Sequence, residues 1–320
     1  MIRRTIARTL VLTLAVGTLA AAASPAVAAP LDDVETTAGL VAAAVPAGEP
    51  EIVDTTPAGG SLRVEGEGAT TVVGVDPAQP ITLTADEGGR TIDVSLPREV
   101  SLAAAEQATD GTLVFAATDG GTAATAQVVE DGSVRLTTVI PDATAPHRYT
   151  YDLALPADST VTIEENGSAS FVSAEGEWLG GAAVPWAKDA RGVDVPTHFV
   201  AEGDALVQVV DLTGVTAFPV VADPYLGIAL ISSVKRINRS EGVTISVVPT
   251  AWGRANGNNP TAVNSLVDEY GSKVANAYYT TQMIWQLGCH AQFAPFKSEW
   301  NLDAWRYRSS YASYIANKCN

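Results

Sequence analysis

Reactive side chains are scarce in this chain of 320 residues: it holds two cysteines, two methionines and three histidines, and 19 Lys/Arg stand against 36 Asp/Glu. The histidines (His147, His198 and His290) lie far apart in sequence, so none pairs with another at zinc-ligand spacing. No G-x-S-x-G, phosphate loop or comparable catalytic signature occurs. Long amphipathic periodicity is missing before residue 258, which counts against an α/β enzyme fold in that part. After the first residues, no uncharged apolar run approaches the roughly 20 residues a membrane span needs.

What is present begins with an address. Arg3, Arg4 and Arg8 precede an uncharged apolar run from Thr9 to Ala23, and Ala26-Val27-Ala28 places small residues where a signal peptidase cuts. The pattern predicts a secretory signal peptide over residues 1–28, and hence a secreted, extracellular protein. The run is short and alanine-rich, which disfavours a retained membrane anchor, and no cysteine stands near the cut for a lipid anchor. In an oxidising compartment the two otherwise unpartnered cysteines, Cys289 and Cys319, most simply pair with each other. That bond is worth about 3 to 4 kcal/mol in the chain-entropy model. Two thiols and one neighbouring histidine leave a zinc site a ligand short, and neither a metal nor a cofactor is expected.

The charge is unevenly laid out. Ala29 to Pro224 carries 7 Lys/Arg against 31 Asp/Glu, whereas Tyr225 to Asn320 carries 9 against 5. Four of the six Trp, six of the nine Tyr and both Cys also lie beyond residue 225. The break predicts a domain boundary near Asp223-Pro224, with a basic unit that an acidic one can attract.

The organisation expected is a flexible leader over residues 29–60, an acidic β-rich domain over 61–224 and a basic α+β domain over 225–320. The leader mixes Ala, Pro, Thr and Glu with no sustained period, leaving at most a frayed helical turn around Gly39 to Ala44. In the middle segment, Ala126–Glu130 and Ser133–Ile140 flank Asp131-Gly132, and Val161–Glu165 and Ser168–Val172 flank Asn166-Gly167. Both dipeptides suit two-residue type I′ hairpins. Further strands are expected at Ser61–Val64, Ile81–Thr84, Thr91–Leu96, Thr112–Ala116, Arg148–Leu155, Thr197–Val200 and Ala205–Leu212. Tyr149, Tyr151, Leu153 and Leu155 fall on one face of their strand. Many short strands at intervals near ten residues argue for an antiparallel β-sandwich.

Beyond the break, Ile228–Ile237 and Val243–Val248 read as two strands turning at Glu241-Gly242. Asn259 suits a helix N-cap and Pro260 the first helical position. Val263, Leu266, Val267, Tyr270 and Val274 then form an apolar stripe, with Glu269 and Lys273 paired on the opposite face. The rest is expected to be aromatic-rich, partly strand, and stapled by the disulfide. The fold class is therefore a mainly β N-terminal domain plus a small α+β C-terminal domain with one disulfide.

The densest chemistry is His290 with Lys297, Asn301, Asp303 and Arg306. As a catalytic group, His290 serves as general acid/base and Lys297 or Arg306 stabilises a developing anion, as in a metal-free nuclease. As a structural group, His290 only flanks the disulfide, while Asn301 and Asp303 cap a turn or helix. The aromatics Trp252, Trp300 and Trp305, with Arg254, Asn301 and Asp303, make a candidate binding set if they share an exposed face. Alternatively they fill a small core. The turn acids at Asp119-Gly120-Gly121 and Asp131-Gly132 read as solvated surface rather than calcium ligands.

Two stretches carry a family resemblance. Pro185-Trp186-Ala187-Lys188-Asp189-Ala190-Arg191-Gly192, Val195-Pro196-Thr197, Leu206 to Val210 and Val220-Val221-Ala222-Asp223-Pro224 resemble a module of secreted proteins from high-GC Gram-positive bacteria. That resemblance spans about residues 110–224 and implies a carrier or stalk. Val248-Pro249-Thr250-Ala251-Trp252-Gly253-Arg254, Gln286-Leu287-Gly288-Cys289-His290, Lys297, Trp300-Asn301-Leu302-Asp303, Arg306 and Cys319-Asn320 resemble the secreted bacterial family called domain of unknown function 2599. There Tyr307 replaces the usual Pro and Asp303 the usual Glu of the WNLE-type motif. The resemblance implies a fold and no mechanism.

Two functions follow. One is a non-enzymatic extracellular protein whose β-rich carrier presents an interaction domain to an unidentified polymer or protein. The other is a secreted effector or toxin whose C-terminal domain is a nuclease-like hydrolase using His290. Nucleic acid is disfavoured as a partner of the whole chain, because the acidic half opposes it.

Overall fold

The computed structural model describes residues 31, 33–47, 49–86 and 90–320. The expected signal peptide lies outside these residues. Two antiparallel sheets face each other as a β-sandwich. Sheet I has seven strands, in spatial order Ser61–Glu65, Ala69–Gly74, Ile81–Ala85, Thr91–Val94, Arg148–Ala154, Ala205–Val210 and Thr197–Glu202. Sheet II has ten strands, its centre formed by Trp178–Ala182, Tyr225–Gly227, Val134–Ile140 and Ala123–Val128. Side chains alternate along each strand, so one face of every strand meets the opposite sheet. Leu62, Leu83, Ile92, Val94, Tyr149 and Tyr151 of sheet I thereby bury against Phe115, Leu136, Phe171 and Leu226 of sheet II.

Strands Ala123–Val128 and Val134–Ile140 are buried at every position, so their outer face also needs a cover. The segment expected to be a flexible leader supplies it. Helix α1 (Val34–Ala44) is capped by Asp33, and its Thr37, Ala38, Val41 and Ala44 are buried. Val41 and Ala44 meet Ala123, Val139 and Val221, while Ala38 meets Ala108 and Val114. Glu35 accepts hydrogen bonds from the Thr109 N–H and hydroxyl, both at 2.9 Å. A strap follows: Glu49 pairs at 2.6 Å with the buried Arg135, and Val53 N–H donates to the Val128 carbonyl. Small residues at helical spacing seat this helix on a sheet. Without the sheet they carry too little apolar surface to signal order.

The two predicted hairpins form, with a different turn. Gly132 N–H donates to Val129 O and Val129 N–H to Ser133 O, and Gly167 and Glu164 repeat both bonds with Glu164 and Ser168. Only the glycines take positive φ, +82° and +90°. These are three-residue type I turns closed by a G1 bulge rather than I′ turns. Asp131 Oδ1 accepts from Ser133 N–H at 2.9 Å and Asn166 Oδ1 from Ser168 N–H at 3.0 Å, an Asx bond that keeps the residue before glycine at negative φ.

Strand Tyr225–Gly227 pairs with Val134–Ile140 and Trp178–Ala182, so the sandwich continues past the compositional break. The C-terminal region then builds sheet III from Ile231–Asn238, Val243–Pro249 and Trp300–Asp303. Its helices are α2 (Ala251–Ala255), α3 (Pro260–Lys273), α4 (Thr281–Phe293) and α5 (Tyr311–Ala316). Asn259 caps α3 as expected, its Oδ1 accepting from Thr261 and Ala262 N–H. The strand Trp300–Asp303 bears out the partial strand expected in this stretch, whereas helix α4 carries no sequence expectation. Its buried face includes Gln286 and His290 among Met283, Leu287, Cys289 and Ala291, and those polar residues mask the apolar period. Cys289 and Cys319 form the predicted disulfide.

Candidate functional site

The site grows from the way the two parts are joined. Glu269 does not sit on the solvent face of α3 beside Lys273. It is buried, and its carboxylate accepts from Leu230 N–H and Ile231 N–H, both at 3.0 Å. Arg90 of the sandwich lies 3.6 Å from it and donates to the Ile228 carbonyl. A connecting segment leaves its N–H groups without ladder partners, and a buried carboxylate satisfies two at once. Burial pushes the Glu269 carboxyl above the ordinary glutamate value, and the two N–H donors and Arg90 pull it back.

Trp252 of α2 is the second joint. Its ring stacks on Tyr225 at 5.5 Å and tilts against Trp178 at 6.4 Å, and its indole N–H donates to Ser133 Oγ. Gly227 makes room for it, since a Cβ there would stand 1.9 Å from the indole nitrogen. The core of the C-terminal region therefore includes Val129, Trp178 and Tyr225 of the sandwich.

Beside this joint opens a cleft of about 710 Å³. Its apolar lining is Val248, Pro249, Ala251, Pro295 and Phe296. Phe296 is 81% exposed, the most exposed large apolar side chain among the described residues. Its rim is acidic, with Glu67, Glu130 and Asp131 contributed by sandwich turns. Glu67 accepts a short hydrogen bond from Ser232 Oγ, and its N–H donates to the Glu130 carbonyl, which fixes the rim. Arg254 lines the same cleft and donates from Nη2 to Ser298 O at 3.2 Å. Burial lowers its guanidinium from the usual arginine value, and Asp131 opposes that shift.

The residues named from sequence do not converge on one face. His290 is buried on α4, and its Nδ1 lies 2.8 Å from the Gln286 carbonyl, an acceptor that assigns the proton to Nδ1. Burial lowers its pKa, the Gln286 bond resists, and Lys297 adds to the lowering. Lys297 itself is exposed in the turn after α4. Asp303 is buried and accepts from Thr244 Oγ1 and from Arg306 Nε, both at 2.8 Å, so Arg306 is engaged in an ion pair. Gln286 grips the Asp303 main chain on both sides: its Oε1 accepts the N–H at 2.7 Å and its Nε2 donates to the carbonyl at 3.2 Å.

Trp300 is wholly buried and donates to Ala294 O, and Asn301 stands half-buried on the opposite face of sheet III, level with Ser246. Trp305 lies half-buried against Gly242. Trp252 is spent on the joint. The side-by-side exposed face of Trp300 and Trp305 therefore does not form, because alternation along the strand sends Trp300 inward. Of the candidate set, Arg254 alone reaches the cleft. Glu67, Glu130 and Phe296 were not singled out from sequence: they are distant along the chain, and only turn chemistry marks their neighbours.

Among curated proteins and among solved structures nothing matches this chain. Its C-terminal region has a match, running from the first residue of sheet III to the end: residues 231–320 fit the family model described as Protein of unknown function (DUF2599).

Proposed function

We propose that this is an exported, non-catalytic binding protein, whose β-sandwich carries the C-terminal region and whose junction cleft seats the ligand. One observation carries the reading: a large apolar hollow holds an almost fully exposed Phe296 on a frame fixed by buried joints. An exposed phenylalanine in a concave site is costly to leave wet and is repaid on binding. The groups expected to do chemistry support the same reading. His290 is buried with Nδ1 bonded within its own helix, and Asp303 and Arg306 are bonded to each other. Export rests on the N-terminal arginine and alanine pattern and fits the single disulfide.

The test uses the full mature chain. Incubated with RNA, DNA and cell-wall polymers it is expected to leave all of them intact. In binding assays against the same polymers and against peptides, His290→Gln is expected to behave as the parent and Phe296→Ser to bind more weakly. Turnover abolished by His290→Gln overturns the proposal in favour of the hydrolase. For export, N-terminal sequencing of protein recovered from the medium should begin at Ala29.

A further inference from the structure

The geometry points to the kind of ligand: an extended, cationic polypeptide segment in which Lys or Arg alternates with an apolar side chain. This rests on the junction cleft being the binding seat and specifies what it accepts. The apolar lining and the acids Glu67, Glu130 and Asp131 make one hollow, and Ala255 also lines a second of about 470 Å³. That second hollow adds Glu164 and Glu165, with the amides of Asn166, Asn256 and Asn258. Three carboxylates thus share the cleft with one guanidinium, and Arg254 is already engaged with Ser298. Glu164 holds Asn259 at 3.0 Å and Asp131 holds Ser133, whereas Glu130 is exposed, with no side-chain bond among the described residues.

All five acids sit on sandwich turns, the most anionic stretch of the chain, so the long-range field and the local rim have the same sign. A cleft with low-dielectric walls focuses that field and draws in cations. Alternation suits the place as well. A strand rises about 3.3 Å per residue and turns successive side chains to opposite sides. An extended segment can therefore lay one apolar side chain on Phe296 and offer the next, cationic one to the rim. Asn166 Oδ1 and Asn256 Nδ2 are held within the protein, which leaves the Asn258 amide to meet the N–H and C=O groups such a segment leaves free. An anionic polymer would meet three like charges around the cleft.

The experiment titrates the full mature chain with an alternating Lys-Phe octapeptide, following backbone amide resonances of residues 250–256 and 296–298. Matched Ser-Phe and Glu-Phe octapeptides, an anionic polysaccharide and a neutral one serve as controls. The expected result is saturable shifts at those residues with Lys-Phe only, weakened roughly tenfold by Glu130→Lys and by raising salt from about 0.05 to 0.5 M. Phe296→Ser, at a position too exposed to unsettle the fold, should weaken it roughly tenfold. If Ser-Phe, Glu-Phe or a polysaccharide shifts the same amides as strongly, the cationic preference is wrong while the cleft stands as a binding seat. If no probe moves them, the cleft reading itself falls. Lys-Phe shifts confined to other acidic turns assign the attraction to the general surface and overturn the site.

Discussion

The sandwich and the C-terminal region solve the same problem by opposite means. The sandwich spreads its core over two wide sheets and fills it with Ala, Val, Leu and Ile, with few large aromatics. The C-terminal region is short, and it buries Trp252, Tyr270, Trp300 and Tyr314, adds one disulfide, and borrows Val129, Trp178 and Tyr225 from its neighbour. A small unit has too much surface for its volume, so it needs large side chains, covalent staples or a partner to close its core. This region uses all three. The lesson is that the junction is part of a core, and the cleft opens beside it.

The comparison predicts how the two parts uncouple. Trp252→Ala should remove about 3 to 5 kcal/mol, the range for deleting a buried large aromatic. It should split one denaturant transition into two, with the C-terminal region melting first. A single unchanged transition followed by far- and near-ultraviolet dichroism would show that the borrowed residues contribute nothing to coupling.

Replacing Cys289 and Cys319 by serine opens a loop whose ends are 30 residues apart and should cost about 3 to 4 kcal/mol. The loss should appear as a lower urea midpoint of the parent's transition when reductant is present. Glu269→Ala should cost about 2 to 3 kcal/mol, because it strands the Leu230 and Ile231 N–H groups in a buried place. Hydrogen exchange at those two amides checks it directly. They should be among the slowest in the parent and exchange measurably faster in the variant.

The smallest effect is a pH dependence. Burial holds His290 below the ordinary histidine pKa, so the unfolded chain binds its proton more readily than the folded one. The stability tied to neutral His290 is fully present above about pH 6.5 and declines as pH falls toward the folded pKa, by at most about 1.4 kcal/mol per pH unit. Urea midpoints measured from neutral to mildly acidic pH should fall more steeply for the parent than for His290→Gln. Parallel curves would place His290 in a site where its charge is tolerated.

Particular residues show where sequence reasoning reached and where it stopped. Turn glycines and alternation located many of the strands, though not Ala69–Gly74 or Trp178–Ala182, because a period of two and a need for positive φ are local properties. Asn259-Pro260 located the start of α3 for the same reason. Helix α4 is hidden in the sequence because Gln286 and His290 occupy its buried face, and Glu269 reads as solvent-facing because a carboxylate is normally solvated. Each is buried to satisfy main-chain groups or a helix carbonyl that become neighbours only on folding. Helix α1 went unread because its contact face is made of Ala, Val and Thr, which signal nothing until a sheet is laid beneath them.

The sequence by itself determined the charge asymmetry, the antiparallel β character of the larger part, the capped helix and the pairing of the two cysteines. Each follows from composition or from residues a few positions apart. Only the tertiary structure decided that the leader is a cover for sheet II, that Trp252 joins two cores and that Glu67, Glu130, Asp131 and Phe296 meet around one cleft. Those groups are separated by up to 229 positions, from Glu67 to Phe296. Nothing in their local chemistry specifies an encounter that the packing of distant strands brings about.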